Sequence, residues 1–191
     1  LQGPYRGRCL LVQNNLGFLR RHETALQCEG GIRVPFIARW PTTIPANHTS
    51  DAVIAFQDML PTFAELAGVD PPEQIDGLSV VADLKGRAVT DRPGYLYWDY
   101  GHCRRRYDQA VRWKNWKAIR HGVRGPIQLY DLDTDIGEER DVATSHPAVV
   151  NHIAEIMETA PVPSTRYPIG QIYRGKPIWK PSPQSDSRRQ P

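Results

Sequence analysis

Apolar positions along the chain change their spacing three times, and each change predicts a different kind of element. Residues 34–38 form a compact apolar run of strand length, entered through Gly30-Gly31 and stopped at Trp40-Pro41. Glycines open backbone conformations closed to residues with a Cβ, and proline ends pairing, so the run predicts a loop leading into an interior strand. Further on, Met59, Leu60, Phe63, Leu66 and Ala67 recur at helical spacing, predicting a helix over about 56–67 with that face in the core. Pro61 falls in its first turns, where a missing N–H costs least, and Gly68 stands where a C-terminal cap belongs.

From Tyr95 onward the pattern becomes a series of short β-type runs at 95–100, 109–113, 116–120 and 127–131. Lys114-Asn115 is a hairpin-sized interruption and 122–125 another turn, so the four runs predict an antiparallel meander. Ser145 then reads as the cap of a helix to about residue 160, with Pro147 in its first turn and an apolar stripe of Val149, Val150, Ile153, Ile156 and Met157. Beyond Ala160 prolines and polar residues dominate, and such a stretch buries too little surface to offset its ordering entropy. The last dozen residues are expected to be disordered, with Tyr167, Ile172, Tyr173 and Trp179 tethering what precedes them.

Composition narrows the function classes. The 191 residues carry a net charge of +3, with basic residues scattered apart from Arg104-Arg105-Arg106, so no nucleic-acid footprint follows. No apolar stretch is long enough to span a bilayer, and residues 1–8 lack the apolar core of a signal peptide. Cys9, Cys28 and Cys103 match no zinc spacing, and Cys28 and Cys103 read as free thiols rather than a disulfide. His48, His121, His146 and His152 have no cysteine or carboxylate partner at ligand spacing, and Asp131, Asp133 and Asp135 lack the glycine and glutamate of a calcium loop, which favours a β-turn with exposed carboxylates. Asn47-His48-Thr49 is a glycosylation sequon in a predicted surface loop.

Several segments, in order, resemble the sulfatase family. Glu29-Gly30-Gly31-Ile32-Arg33-Val34-Pro35 is similar to its E-G-G-x-R-V-P segment, and Gly3-Pro4-Tyr5-Arg6-Gly7 to its G-P-x-R-G stretch. The run from Asp58 to Val69 resembles the D-L-L-P-T helix, and Ile75-Asp76-Gly77-Leu78-Ser79 the I-D-G-x-S turn that follows it. Tyr97-Trp98-Asp99-Tyr100, Gln109-Ala110-Val111-Arg112, Trp116-Lys117-Ala118-Ile119-Arg120, Leu129-Tyr130-Asp131-Leu132 and Gly137-Glu138-Glu139 resemble the C-terminal subdomain of arylsulfatase-type members. The resemblance implies an α/β, partial alkaline-phosphatase-like fold ending in a four-stranded antiparallel sheet with one packed helix. It divides the chain into 1–88, the C-terminal portion of a catalytic domain; 89–160, the antiparallel-sheet subdomain; and 161–191, a Pro-rich tail.

For function, the resemblance implies a parent enzyme, periplasmic or secreted, that hydrolyses sulfate esters of small molecules or carbohydrates. Its nucleophile is a formylglycine made from cysteine or serine in a C/S-x-P-x-R context, and its metal is calcium. None of the three cysteines stands in that context, and the family's metal aspartates fall upstream of Gly3, so no catalytic residue, no metal ligand and no bound cofactor is assigned to this chain. The chain is expected to be inactive alone, with the N-terminal part of the same enzyme as its partner. Where the family has a sulfate-contacting lysine, Cys9 and Thr24 stand instead, and residues 10–23 resemble nothing in the family. Two alternatives follow: a non-catalytic or decayed binding module, and another hydrolase of the alkaline phosphatase superfamily. His102 and Arg104, in the basic segment after Tyr100, are the candidate substrate-binding residues, because sulfated ligands are anionic.

Overall fold

The computed structural model of the chain describes residues 10–12, 29–87, 94–100, 107–165 and 168–172. In the first region β1 (Leu10–Val12) pairs antiparallel with β2 (Phe36–Ala38), Leu11 standing opposite Ile37. Two expectations change here. Residues 29–32 form a helical turn, α1 (Glu29–Ile32), where a glycine loop was expected, and the strand is three residues long. Nor is that strand interior: Val34 is 66% and Ile37 58% exposed, because among the described residues β2 has β1 alone beside it.

A 3₁₀ turn (Phe56–Asp58) leads into α2 (Met59–Ala67), and Gly68 closes it in the left-handed conformation at φ +69°, donating to the Ala64 and Glu65 carbonyls as the sequence predicts. The face expected in the core is covered only in part, Met59 and Leu66 being half-buried. Leu60 and Phe63 are 52% and 63% exposed, while Asp58, Pro61, Thr62 and Ala64 are buried. Hydrogen bonds decide the rotation. The Asp58 carboxylate accepts the Ala55 N–H at 2.7 Å and the Leu78 N–H at 2.9 Å, and the Thr62 hydroxyl donates to the Asp58 carbonyl at 2.6 Å and accepts the Val80 N–H at 3.0 Å. Burying these groups with every partner in place costs little, whereas leaving them unpaired would cost about 1–3 kcal/mol each. Gly77 permits the approach, since a Cβ there would lie 2.1 Å from the Gln57 carbonyl oxygen. α3 (Val81–Leu84) follows directly, and Ile44, Val80 and Leu84 form a small core with Met59, Phe36 and Ile54 against it.

The second region matches its expectation closely. β3 (Leu96–Tyr100), β4 (Asp108–Trp113), β5 (Trp116–His121) and β6 (Ile127–Asp131) pair antiparallel in chain order. Trp113 faces Trp116 across the two-residue Lys114-Asn115 turn, in which Lys114 takes φ +56°. Strand alternation turns Val111, Ala118 and Leu129 to one face and Ala110, Ile119 and Tyr130 to the other. α4 (Pro147–Thr159) covers the first face with Ile153, Ile156 and Met157, all buried. Its cap differs from the sequence reading. Ser145 ends a short 3₁₀ turn (Ala143–Ser145), and His146 is the N-cap, without a side-chain hydrogen bond. The Asp141 carboxylate organises the approach by accepting the Leu129 and Ala143 N–H groups. Beyond Ala160 the described residues are irregular, and Gly170 packs so close to Val123 that a Cβ would meet it at 3.0 Å. Ile172 is half-buried, whereas Tyr167, Tyr173 and Trp179 lie outside the described residues.

Candidate functional site

Where the two regions meet, a cavity of about 400 Å³ opens between the segment entering β2, residues 50–56 and the sheet face opposite α4. Its walls are mostly apolar, Val34, Phe36, Ile54 and Trp98 among them, with the guanidinium-bearing Arg33 and Arg112 at the lining. Arg33 comes from the E-G-G-x-R segment and Arg112 from β4, on the same face as Trp98 by strand alternation. Ser50 lines it too, but its hydroxyl is occupied, accepting the Ala52 N–H at 3.1 Å. Asp51 lies beside Ser50 in the lining, and no histidine or cysteine lies there among the described residues.

Beside this cavity the sheet buries an ion pair. Lys117 Nζ stands 3.8 Å from Glu138 Oε1, both side chains being almost wholly excluded from water, and the same ammonium lies 5.2 Å from the centre of the Trp98 ring. Two charges removed from water hold only as a pair, so this contact ties the turn carrying Glu138 to β5. The signal in the sequence was a lysine inside an apolar strand, Trp116-Lys117-Ala118-Ile119, on the face shared with Ile119.

A polar network occupies the other face, at the end of the sheet from which residues 101–106 depart in sequence. Buried Gln109 donates to the Tyr97 hydroxyl at 2.9 Å and to the Met157 carbonyl at 3.0 Å, and accepts from Arg120 Nε at 2.9 Å. Tyr97 and Tyr107 both donate to Asp99. Burial is the main cause that pushes both phenols above their ordinary range, Tyr107 most. His102 and Arg104, the candidate substrate residues, lie outside the described residues, as do Cys9, Thr24, Cys28 and Cys103.

The remaining candidates resolve as follows. His121 is not isolated: its Nδ1 is 2.9 Å from Asp108 Oδ1, its direct partner in the β4–β5 register. Sequence distance hid this pair, which strand pairing makes adjacent. His146 and His152 lie against Trp116 and Trp113, with ring centres 4.8 and 4.4 Å apart. Asp131 accepts from Asn115, Thr134 and the Asp133 N–H, and the Asn115 bond is the chief cause holding its carboxyl below the ordinary range. Asp135 caps the Glu139 and Arg140 N–H groups. Asp131 and Asp135 are thus engaged by their own turn and, for Asp131, by Asn115 of the β4–β5 turn, and among the described residues no group of three or more His, Cys, Asp or Glu could hold a metal. The calcium of the resemblance therefore does not fit the described residues, and no step through it is assigned to them.

Comparison with known proteins adds to this geometry. A family described as "N-sulphoglucosamine sulphohydrolase, C-terminal" matches residues 21–160. An uncharacterized sulfatase of Schizosaccharomyces pombe is 35% identical over 136 residues, covering 66% of this chain and 24% of that protein. Arylsulfatase G of Rattus norvegicus is 38% identical over 161 residues, covering 76% of this chain and 29% of that protein. The chain thus spans about a quarter of the length of these curated relatives. Among solved structures, Ps i-CgsB in complex with k-i-k-neocarrahexaose superposes with a TM-score of 0.59 at 31% identity, over 69% of this chain and 29% of that one. The fold alone is shared with the phosphonate monoester hydrolase of Agrobacterium radiobacter, at a TM-score of 0.51 and 22% identity over 65% of this chain and 28% of that one. With its four-stranded meander, its covering helix and these matches, the chain belongs to the sulfatase family and forms the C-terminal part of that alkaline-phosphatase-like fold.

Proposed function

We propose that this chain serves as the C-terminal part of an enzyme hydrolysing aryl or carbohydrate sulfate esters, whose formylglycine nucleophile and calcium are held by residues outside these 191. The observation that carries the reading is the family match over residues 21–160 together with an apolar cavity and an exposed α2 face that the described residues leave uncovered. On this reading the remainder of the enzyme seats against the exposed Leu60 and Phe63 of α2, since large exposed apolar side chains mark an interaction surface. His102 and Arg104 then serve the substrate side, where positive charge draws a sulfated ligand, and the neocarrahexaose in the Ps i-CgsB complex supports a saccharide as its class.

A second reading, a sulfatase-like module without catalysis, is favoured by Cys9 and Thr24 standing where the family has its sulfate-contacting lysine. Two measurements separate the readings. The 191-residue chain is expected to show no turnover of an aryl sulfate and no heat on titration with calcium, and turnover above background would overturn the proposal. The full-length protein is expected to hydrolyse a sulfate ester. An inactive full-length protein lacking a C/S-x-P-x-R segment would establish the second reading instead.

A further inference from the structure

Of the five asparagines in the chain only Asn47 begins an Asn-x-Ser/Thr triplet, with His48 between it and Thr49. The structure sets this triplet apart from its surroundings. It lies in the irregular stretch between β2 and α2, where Ala46 and Asn47 form a turn and Asn47 takes the left-handed conformation at φ +53°. Asparagine is among the few residues with a side chain that visit this conformation readily, so the turn accounts for Asn47. It does not account for Thr49.

Burial alternates sharply along the loop. Ile44 is buried in the small core with Val80 and Leu84, and Ser50 is buried with its hydroxyl accepting the Ala52 N–H. His48 is half-buried, and its ring lies beside Gly86. Asn47 and Thr49, between these anchors, are both exposed. The loop is therefore pinned on either side, with Thr49 itself in an isolated β-bridge, while the two residues the triplet needs, Asn47 and Thr49, are both exposed. None of residues 41–49 lines the cavity, so a large group on Asn47 leaves the apolar wall free.

We propose that Asn47 is an N-glycosylation site, modified when the chain is translocated into a compartment that holds a lipid-diphosphate-linked oligosaccharide and its transferase. The asparagine Nδ2 attacks the anomeric carbon of the first sugar. The bond from that carbon to the diphosphate oxygen breaks, the N-glycosidic bond forms, the amide gives up one proton, and the lipid diphosphate leaves.

The test is translation of the full chain, behind a signal sequence and carrying an added C-terminal Asn-Ala-Thr tag, in the presence of endoplasmic-reticulum microsomes. Two glycans removable by an amide-specific glycosidase are expected, falling to one in both Asn47→Gly and Thr49→Ala and staying at two in Thr49→Ser. The glycine variant keeps the left-handed turn, and the threonine variant keeps the asparagine, so neither result depends on disturbing the loop. A single glycan in the unsubstituted chain that persists in Asn47→Gly would show the tag modified and Asn47 passed over, and would overturn the proposal.

Discussion

The residues that matter most for this fold are polar ones in dry places. Asp58, Thr62, Lys117 and Glu138 are each buried, and each is engaged with a segment distant in sequence. The tyrosine pair on Asp99 offers a direct test of such burial. Because both phenols titrate above the ordinary value of 10.0 when folded, the unfolded chain loses its protons first as pH rises. Fewer protons on the unfolded state means stability that is whole below pH about 10 and declines above it. A melting series from pH 8 upward is expected to show Tyr107→Phe losing less of its melting temperature above pH about 10 than the unsubstituted chain does. Equal losses would show that Tyr107 is not held neutral by burial. None of this network could be read along the chain, since Tyr97, Asp99, Gln109 and Arg120 become neighbours only once β3, β4 and β5 pair.

Among elements, the meander and its helix were legible because their signals are local: alternation, a two-residue turn and a stripe at helical spacing. Ile153 sits wholly buried at the centre of that packing. Ile153→Asp should place a charge against Val111 and Leu129 and cost about 3 kcal/mol or more, read by chemical denaturation. A loss under about 1 kcal/mol would mean that α4 does not cover the sheet. α2 was legible as a helix, down to its Gly68 cap, but not in its rotation. Counting apolar residues chose Leu60 and Phe63, whereas the hydrogen bonds of Asp58 and Thr62 to Leu78 and Val80 turned the other side inward. The same bonds give a physical reason for two of the motifs that carried the resemblance: Asp58 and Thr62 belong to one, Gly77 and Leu78 to the other, and each completes the other's hydrogen bonding. The strand at 34–38 failed for a different reason. Its composition is that of an inner strand, but the described residues supply it with a single neighbour.

At the scale of the whole molecule the two regions differ in how much they can protect themselves. β4 has a partner on each side and a helix over one face, whereas among the described residues β2 has β1 alone, with Ile37 and the preceding Val34 exposed. Hydrogen exchange on the monomeric chain is expected to be slower in 109–113 than in 36–38 by at least about tenfold, the factor set by 1.4 kcal/mol of opening free energy. Equal protection would show a self-sufficient first region and count against the proposed role as part of a larger enzyme. The candidate site divides in the same way. Of the cavity lining, Trp98 and Arg112 belong to strands whose positions follow from local pattern, whereas Val34, Phe36 and Ile54 do not, and His102 and Arg104 stand in a segment recognisable only by charge and outside the described residues.

The chain-order pairing of β3 through β6 also bears on when each part forms. Every strand of that sheet bonds the one made just before or after it, so closing the sheet never requires a long loop to be drawn in. The Trp113 to Trp116 hairpin is the shortest closure in it, and such hairpins form in about 1–10 μs. The Asp58 to Leu78 bond, by contrast, must gather twenty residues before it gains anything. Pulse labelling during refolding would therefore protect β4 and β5 ahead of the first region. The later of the two regions in sequence would be the first to hold its shape.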